Sequence, residues 1–504
     1  MTYSPGLTSG YAKTTMRSKF TSSQSGMCSM CTMDCRNQCE IGIAAVLGTQ
    51  TVYPTTTGDN QIASEKDYPV NYSHFNINGR VFGAEGLQEG MLPAIYNVGL
   101  ESEYGYYNPV KIKMPIMLPA LIKLNWKDYF AGAAMAGVPC VVGENAVYKD
   151  SDLILKNGKA VDAPFIGEIR SAFRNYYRGY GQIILQCNIE DMLLGIDEIG
   201  IQKYGFEAIE IKFGQAAKGV QPAVKLQSLE EALSKKQLGM DVYPDPEDET
   251  VAESYSNGTG SNFFSFNRLP MWTEEKIEKK IASLREMGAK NIYFKMAGYD
   301  LKDIERVLRM ASECKVDMVT FDGAGGGSGY SPSKMMNEWG QPAICMEPVI
   351  ERIVRTIKSE NKYVPYITLT GGFASEDQIF KALALGNGTV NCIGVCRAAM
   401  AAAMKGKEVG DRIKANQIPD EYKKYGDSID TIFAEMGELK GIYGSNAVIP
   451  TGAAGVYSYL NKLAFGLQHL AALNRKFDIR LLNKDDVIPM TEEALKIIGE
   501  KKEW

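Results

Sequence analysis

At 504 residues, with 45% hydrophobic side chains and a formal charge of -5, the chain can bury a large core and has no basic excess. Its 55 Lys and Arg against 60 Asp and Glu form no basic cluster, which argues against nucleic acid or an anionic membrane as a partner. No uncharged apolar run reaches the roughly 20 residues that span a bilayer, and no signal-peptide core opens the chain, so a soluble cytoplasmic protein is expected.

Near the N-terminus Cys28, Cys31, Cys35 and Cys39 fall in the run MCSMCTMDCRNQCEIG. This spacing puts the thiols on or near one face of a helix or tight turn, where four thiolates can converge on one centre. A disulfide framework fits poorly, because a chain this long needs no staples to hold its core. Four thiolates suit zinc as well as iron and sulfur, and inert buried thiols are a third reading. Structural zinc usually comes as two separated Cys-x2-Cys knuckles. One compact ladder is more typical of an iron-sulfur cluster, with a [4Fe-4S] centre the expected form. Only two histidines occur, His74 and His469, which disfavours chemistries built on a histidine base, such as hydroxy-acid oxidation.

From about residue 114, short apolar runs alternate with amphipathic stretches, the pattern of parallel strands buried by helices. Eight strands are predicted, at 115–118, 138–142, 182–185, 207–212, 291–295, 317–321, 365–369 and 389–393. Between the fourth and fifth lies an insertion at about 213–290. It carries an acidic, proline-spaced stretch at 243–249 and a glycine-serine run at 256–261, and reads as a surface loop or lid. Thr273 opens a capped helix with Ile277, Ile281 and Leu284 on one face, and helices near 301–312, 346–358 and 375–385 alternate with strands six to eight. The expected architecture is an α/β (β/α)8 TIM barrel over 111–405, after an N-terminal segment with the cysteine cluster over 1–110. A mainly helical extension follows over 406–504, with helices at 457–474 and 491–499.

In such a barrel, functional groups gather at the C-terminal strand ends, and phosphate often sits over the loops after strands seven and eight. Those loops read Thr370-Gly371-Gly372 and Gly394-Val395-Cys396-Arg397; the first is followed by a helix whose N-terminus favours an anion. Lys212 and Lys295 close strands four and five. Each would bury a charge at cost unless a ligand, carboxylate or flavin carbonyl met it, or unless it snorkelled to the rim. Strand six ends in Asp322 and enters a glycine-rich loop containing Gly325, Gly326 and Gly327, which either wraps a flat ligand or stays flexible.

These segments resemble a known family, the FMN-binding synthase domain of glutamate synthase. The likeness rests on AIEIKFGQAAKG at 208–219, FKMAG at 294–298, DGAGGGSGYSP at 322–332 and TLTGGFASEDQIFKALALGN at 368–387, with GVPCVVGEN at 137–145 a weaker counterpart. It implies a barrel holding FMN, reduced by an iron-sulfur centre and giving hydride to 2-iminoglutarate. Lys295 would sit by the flavin N1 and C2 carbonyl. Asp322, Gly325, Gly326 and Gly327 would line the cofactor, and Gly371, Gly372 and Gly394 would hold its phosphate. Lys212, Gln215 and Lys218 would bind the oxo-acid carboxylates, and Glu144 would orient or protonate the imine. The family's three-cysteine cluster after strand eight has only Cys392 and Cys396 here, which leaves the N-terminal ladder as the expected electron entry. Ammonia or an amine would arrive free or from a partner subunit, and electrons from a ferredoxin or an NAD(P)H-oxidising subunit; a homo-oligomer is expected. Alternative readings are amine transfer of the N-methylglutamate synthase type, a non-catalytic flavin and iron-sulfur electron-transfer subunit, and a phosphate-binding aldolase-type barrel with a zinc knob.

Overall fold

The structure, a computed structural model of the chain, describes residues 68–122, 125–144, 146–216, 223–260, 262–324 and 338–499, with Ala45, Val46, Ser331 and Met335 besides. The four ladder cysteines lie outside the described residues, as do Lys218, Gly325, Gly326 and Gly327.

All eight predicted strands form. They are β1 (Ile116–Leu121), β2 (Cys140–Val142), β3 (Ile183–Cys187), β4 (Ala208–Lys212), β5 (Asn291–Ala297), β6 (Met318–Asp322), β7 (Tyr366–Thr370) and β8 (Cys392–Gly394). The strands are parallel and pair in chain order; β8 returns to β1 through Ile393–Ile116 and Gly394–Met117, which closes the barrel.

Successive strand side chains point to opposite faces, and here the two faces divide cleanly by chemistry. Ile209 and Ile211 of β4, Ile292 and Phe294 of β5, and Val319 and Phe321 of β6 face outward into one large core with the surrounding helices. The inward side chains nearest the N-terminal strand ends, among them Met117, Val141, Ile184, Ala208, Tyr293 and Met318, form a separate apolar cluster. It is capped from below by Tyr104, Val110 and Ile112 of an antiparallel hairpin, with Tyr104 stacked on Tyr366 at 4.9 Å between ring centroids. Above that layer the interior turns polar: Gln186, Glu210, Lys212, Lys295, Thr320, Asp322, Thr368 and Thr370 are all buried.

The helices follow local signals in the sequence. α1 (Trp126–Ala136) and α2 (Pro164–Arg174) cover the first strands, α3 (Ile196–Gln202) follows β3, and α4 (Glu274–Glu286) precedes β5. Thr273 caps α4 by accepting from the Lys276 N–H, and Ile277, Ile281 and Leu284 are its buried face. α5 (Leu301–Glu313), α6 (Ala343–Ser359), α7 (Glu376–Leu385) and α8 (Arg397–Lys414) follow the last four strands.

The insertion is not the plain surface loop expected. Phe264–Phe266 runs between Ala223–Lys225 and Asp241–Tyr243 in an antiparallel sheet, flanked by helices at Leu229–Gln237 and Glu249–Ser256. Its small core of Leu226, Ala232, Val242 and Phe263 comes from positions scattered over nearly forty residues, so no periodic run announces it. Arg268 fastens this unit to the barrel. Its Nε and Nη2 lie 3.1 and 2.7 Å from the two carboxylate oxygens of buried Glu190, at the start of the helical turn after β3.

Beyond β8 the long helix α9 (Thr451–Leu473) begins six residues before the expected 457 and packs on α1 and α8. Glycines permit the approach: an added Cβ at Gly455 would lie 2.5 Å from the Ala402 carbonyl oxygen, and one at Gly406 2.5 Å from that of Thr451. Gly455→Leu is expected to lower stability by about 2–3 kcal/mol through overpacking, read from urea denaturation midpoints; an unchanged midpoint would contradict this seam. The ends of the described chain also meet, Phe75–Ile77 pairing antiparallel with Val487–Pro489.

Candidate active site at the barrel mouth

The polar interior resolves into three groups of contacts. Lys295 Nζ lies 3.4 Å from Asp322 Oδ2, and Asp322 Oδ1 accepts a hydrogen bond from the Thr370 hydroxyl. Beside them, the Gln186 amide donates to Glu210 Oε1. On β4, Lys212 Nζ donates to Glu144 Oε1 at 2.5 Å and to Gln215 Oε1 at 3.0 Å, and the Gln215 carbonyl in turn accepts from the Tyr299 hydroxyl at 2.7 Å. Both strand-end lysines thus meet carboxylates and do not snorkel; the Lys212 and Lys295 side chains are only 4% and 5% exposed.

Burial and charge act against each other here. Burial pulls the Lys295 ammonium down, but the neighbouring Asp322 and Glu210 carboxylates outweigh it and hold its pKa above the ordinary lysine range. Burial pushes the Glu210 carboxyl up to about 7, against the lowering influence of Lys295 and of the Gln186 hydrogen bond. One cation therefore stays charged while a carboxyl below it exchanges its proton near neutrality, a separation common at catalytic centres.

The loop after β7 is shaped by glycine. Gly371 and Gly372 have φ of +147° and +89°, and an added Cβ at Gly372 would meet nothing within 4 Å, so backbone conformation rather than space calls for glycine there. Among the described residues, the Gly371 and Gly372 N–H groups take no hydrogen-bond partner. Gly394 differs: an added Cβ would lie 2.5 Å from Thr370 Cγ2, so packing alone explains it. Two amides just before α7 are engaged by its own first turn. Gln378 Oε1 accepts from the Ala374 and Ser375 N–H groups, and Glu376 and Asp377 occupy the first turn.

Of the predicted site residues, the fold brings Glu144, Lys212 and Gln215 into one cluster and Lys295 and Asp322 into another. Cys392 sits in the inner apolar layer, whereas Cys396 precedes α8 with its thiol 3.9 Å from the Pro119 carbonyl oxygen. Among the described residues no group of three or more His, Cys, Asp or Glu is placed to hold a metal ion. Neither histidine lies on a barrel strand: His74 ends a short turn at Tyr72–His74, and His469 lies on α9. Gln186, Glu210 and Thr370 were not among the predicted site residues. The first two interrupt the apolar runs IILQC and AIEIK, which is the signal that marked Lys212 and Lys295.

No curated protein matches the chain. Similar solved structures include a doubly substituted flavocytochrome b2 with sulfite bound, at 14% identity over 86% of this chain and 79% of that one, with a TM-score of 0.47. The recombinant flavin-binding domain of baker's yeast flavocytochrome b2 gives the same values. A soluble mutant of (S)-mandelate dehydrogenase from Pseudomonas putida matches at 13% identity over 83% and 88% of the two chains, with a TM-score of 0.44. At such values the likeness adds nothing to the strand pairing that already defines the barrel. Residues 248–405, from the second helix of the insertion through β5 to β8 and into α8, match the family model for the conserved region in glutamate synthase.

Proposed function

We propose that the chain is an FMN-dependent oxidoreductase that reduces the imine of a 2-oxo acid, 2-oxoglutarate foremost, to an amino acid. The observation that carries this reading is the buried mouth in which Lys295 with Asp322, Gln186 with Glu210, and Lys212 with Glu144 share one polar interior.

The residues present fit FMN. Gln186 Oε1 is buried with no partner among the described residues, an acceptor that the N–H of a flavin pyrimidine ring would satisfy. Lys295 supplies a fixed cation for the carbonyl edge of such a ring, and the Gly371 and Gly372 amides are donors for a phosphate. When bound, the reduced cofactor supplies hydride. Lys212 and Gln215 would hold a substrate carboxylate, for which an ammonium and an amide N–H are apt donors. The substrate nitrogen gains a proton as its carbon is reduced; Glu144, which accepts from the Lys212 ammonium, is proposed to orient the imine and to relay a proton from that ammonium to the nitrogen. The absence of a histidine from the barrel strands favours this reaction over hydroxy-acid oxidation.

Electrons are proposed to enter through an iron-sulfur cluster on Cys28, Cys31, Cys35 and Cys39, supplied by a ferredoxin-like or NAD(P)H-oxidising partner. That part rests on cysteine spacing alone. No helix among the described residues is long and apolar enough to cross a membrane.

The test is anaerobic spectroscopy. Purified protein is expected to show flavin bands with a broad shoulder near ~400 nm, and chemically reduced protein to reoxidise on 2-oxoglutarate with ammonium while glutamate accumulates. Methylamine in place of ammonium reads out N-methylglutamate formation. A protein that stays colourless after added FMN overturns the cofactor assignment, and a reduced flavin indifferent to 2-oxoglutarate with either amine overturns the substrate.

A further inference from the structure

At the end of the barrel away from the mouth, a cavity of about 470 Å³ lies among the N-terminal ends of β3 and β5, the turn before β4, and the hairpin residues Glu103 and Lys111. Its wall carries four cations, Lys111, Arg170, Arg174 and Lys290, against two carboxylates, Glu103 and Glu207. Glu207 is already engaged: its Oε1 lies 2.5 Å from Lys290 Nζ and its Oε2 3.6 Å from an Arg174 nitrogen.

Arg170 is left over. Among the described residues no ion pair or side-chain hydrogen bond reaches it, and its guanidinium lies against Gly205, where an added Cβ would sit 3.3 Å from Nη2. Burial, together with Arg174, depresses its pKa below the ordinary arginine range, against a smaller raising influence of Glu207, which forms no ion pair with it. Arg170 and Arg174 lie four residues apart on α2 and so share a face, an arrangement of like charges that costs an isolated helix a few tenths of a kcal/mol. The C-terminal dipole of α2 and Glu207 account for exposed Arg174, but neither pairs with the half-buried Arg170. Exposed Lys111, Tyr177 and Lys290 stand at the rim, so the cavity is open to solvent.

We propose that this cavity binds a small dianion, a phosphate monoester or a dicarboxylate, with Arg170 as its principal contact and Arg174 and Lys111 in support. A guanidinium fork meets either group through two parallel hydrogen bonds, and the volume falls within the roughly 300–1,000 Å³ usual for metabolite pockets. The site lies beneath the strands β3, β4 and β5 whose other ends carry Gln186, Glu210, Lys212 and Lys295. An occupant would therefore touch the strands that shape the mouth without entering it.

Isothermal titration of the full purified chain at low salt, with glycerol 3-phosphate and separately with succinate, tests this. At least one of the two is expected to bind, with affinity falling about tenfold or more in Arg170→Gln and about threefold in Lys111→Gln, and unchanged in Lys212→Met. Which anion binds tells the two sources apart. Absence of heat with both, equal affinity in wild type and Arg170→Gln, or loss of binding in Lys212→Met overturns the proposal; the last outcome would place the anion at the mouth. Should Arg170→Gln fail to unfold cooperatively, Lys111→Gln, an exposed change that disturbs no core, decides by the same criterion.

Discussion

Lys295→Met is expected to cut turnover by about 10²–10³-fold and to lower stability by about 3–5 kcal/mol. Two effects combine. Methionine fills the space of the lysine stem but removes the cation that faces the Asp322 carboxylate at 3.4 Å inside the barrel. Among the described residues, Asp322 would then keep only its hydrogen bond from Thr370, and a buried carboxylate without a counter-charge is among the costliest defects a core can carry. The turnover loss follows from the removal of a donor held in place before reaction. Lys295→Arg should not restore it, since a planar fork cannot occupy the position of a compact ammonium walled by β4 and β6. Urea denaturation read with stopped-flow turnover checks both parts. Wild-type stability in Lys295→Met would show that Asp322 does not depend on this cation.

The second large effect is on pH dependence. Glu210 has its pKa raised from 4.5 to about 7, chiefly by burial. Between those values the folded chain keeps a proton that the unfolded chain has released, so stability falls as pH rises through this window and levels off above it. A difference of about 2.5 pKa units, at 1.36 kcal/mol each, sets a ceiling of about 3 kcal/mol on the loss. Glu210→Gln cannot titrate. The gap in unfolding free energy between wild type and variant should therefore shift by up to about 3 kcal/mol in the variant's favour from pH 4.5 to pH 8. Parallel stability curves for the two proteins would refute the assignment of that proton to Glu210.

Much of the barrel was legible because its strands are buried on both faces and read as short apolar runs between helical stretches. Lys212 and Lys295 stood out for the same reason, as charges at the ends of such runs. Glu210 and Gln186 were equally visible as interruptions, but they fall inside the runs, and the barrel holds polar groups one layer deeper than its rim. The α7 capping box could be read from Ser375 and Gln378, three residues apart, and the Gln378 carboxamide engages the Ser375 N–H just ahead of the helix. The insertion was opaque for a different cause. Leu226, Val242 and Phe263 come together only after two strand pairings form, and no local period records that.

The division of the barrel strands between an oily outside and a charged inside also protects the alignment of the chain during folding. A slip of one residue in β4 would drive Ile209 and Ile211 into the polar interior and Glu210 and Lys212 into the helix-covered core. Each buried charge would then lack its partner, at several kcal/mol apiece. Near-miss pairings are thus penalised by electrostatics as well as by lost apolar contact. The side chains proposed for chemistry serve a second purpose as register keys, so neutralising them all at once should loosen strand alignment as well as silence the site.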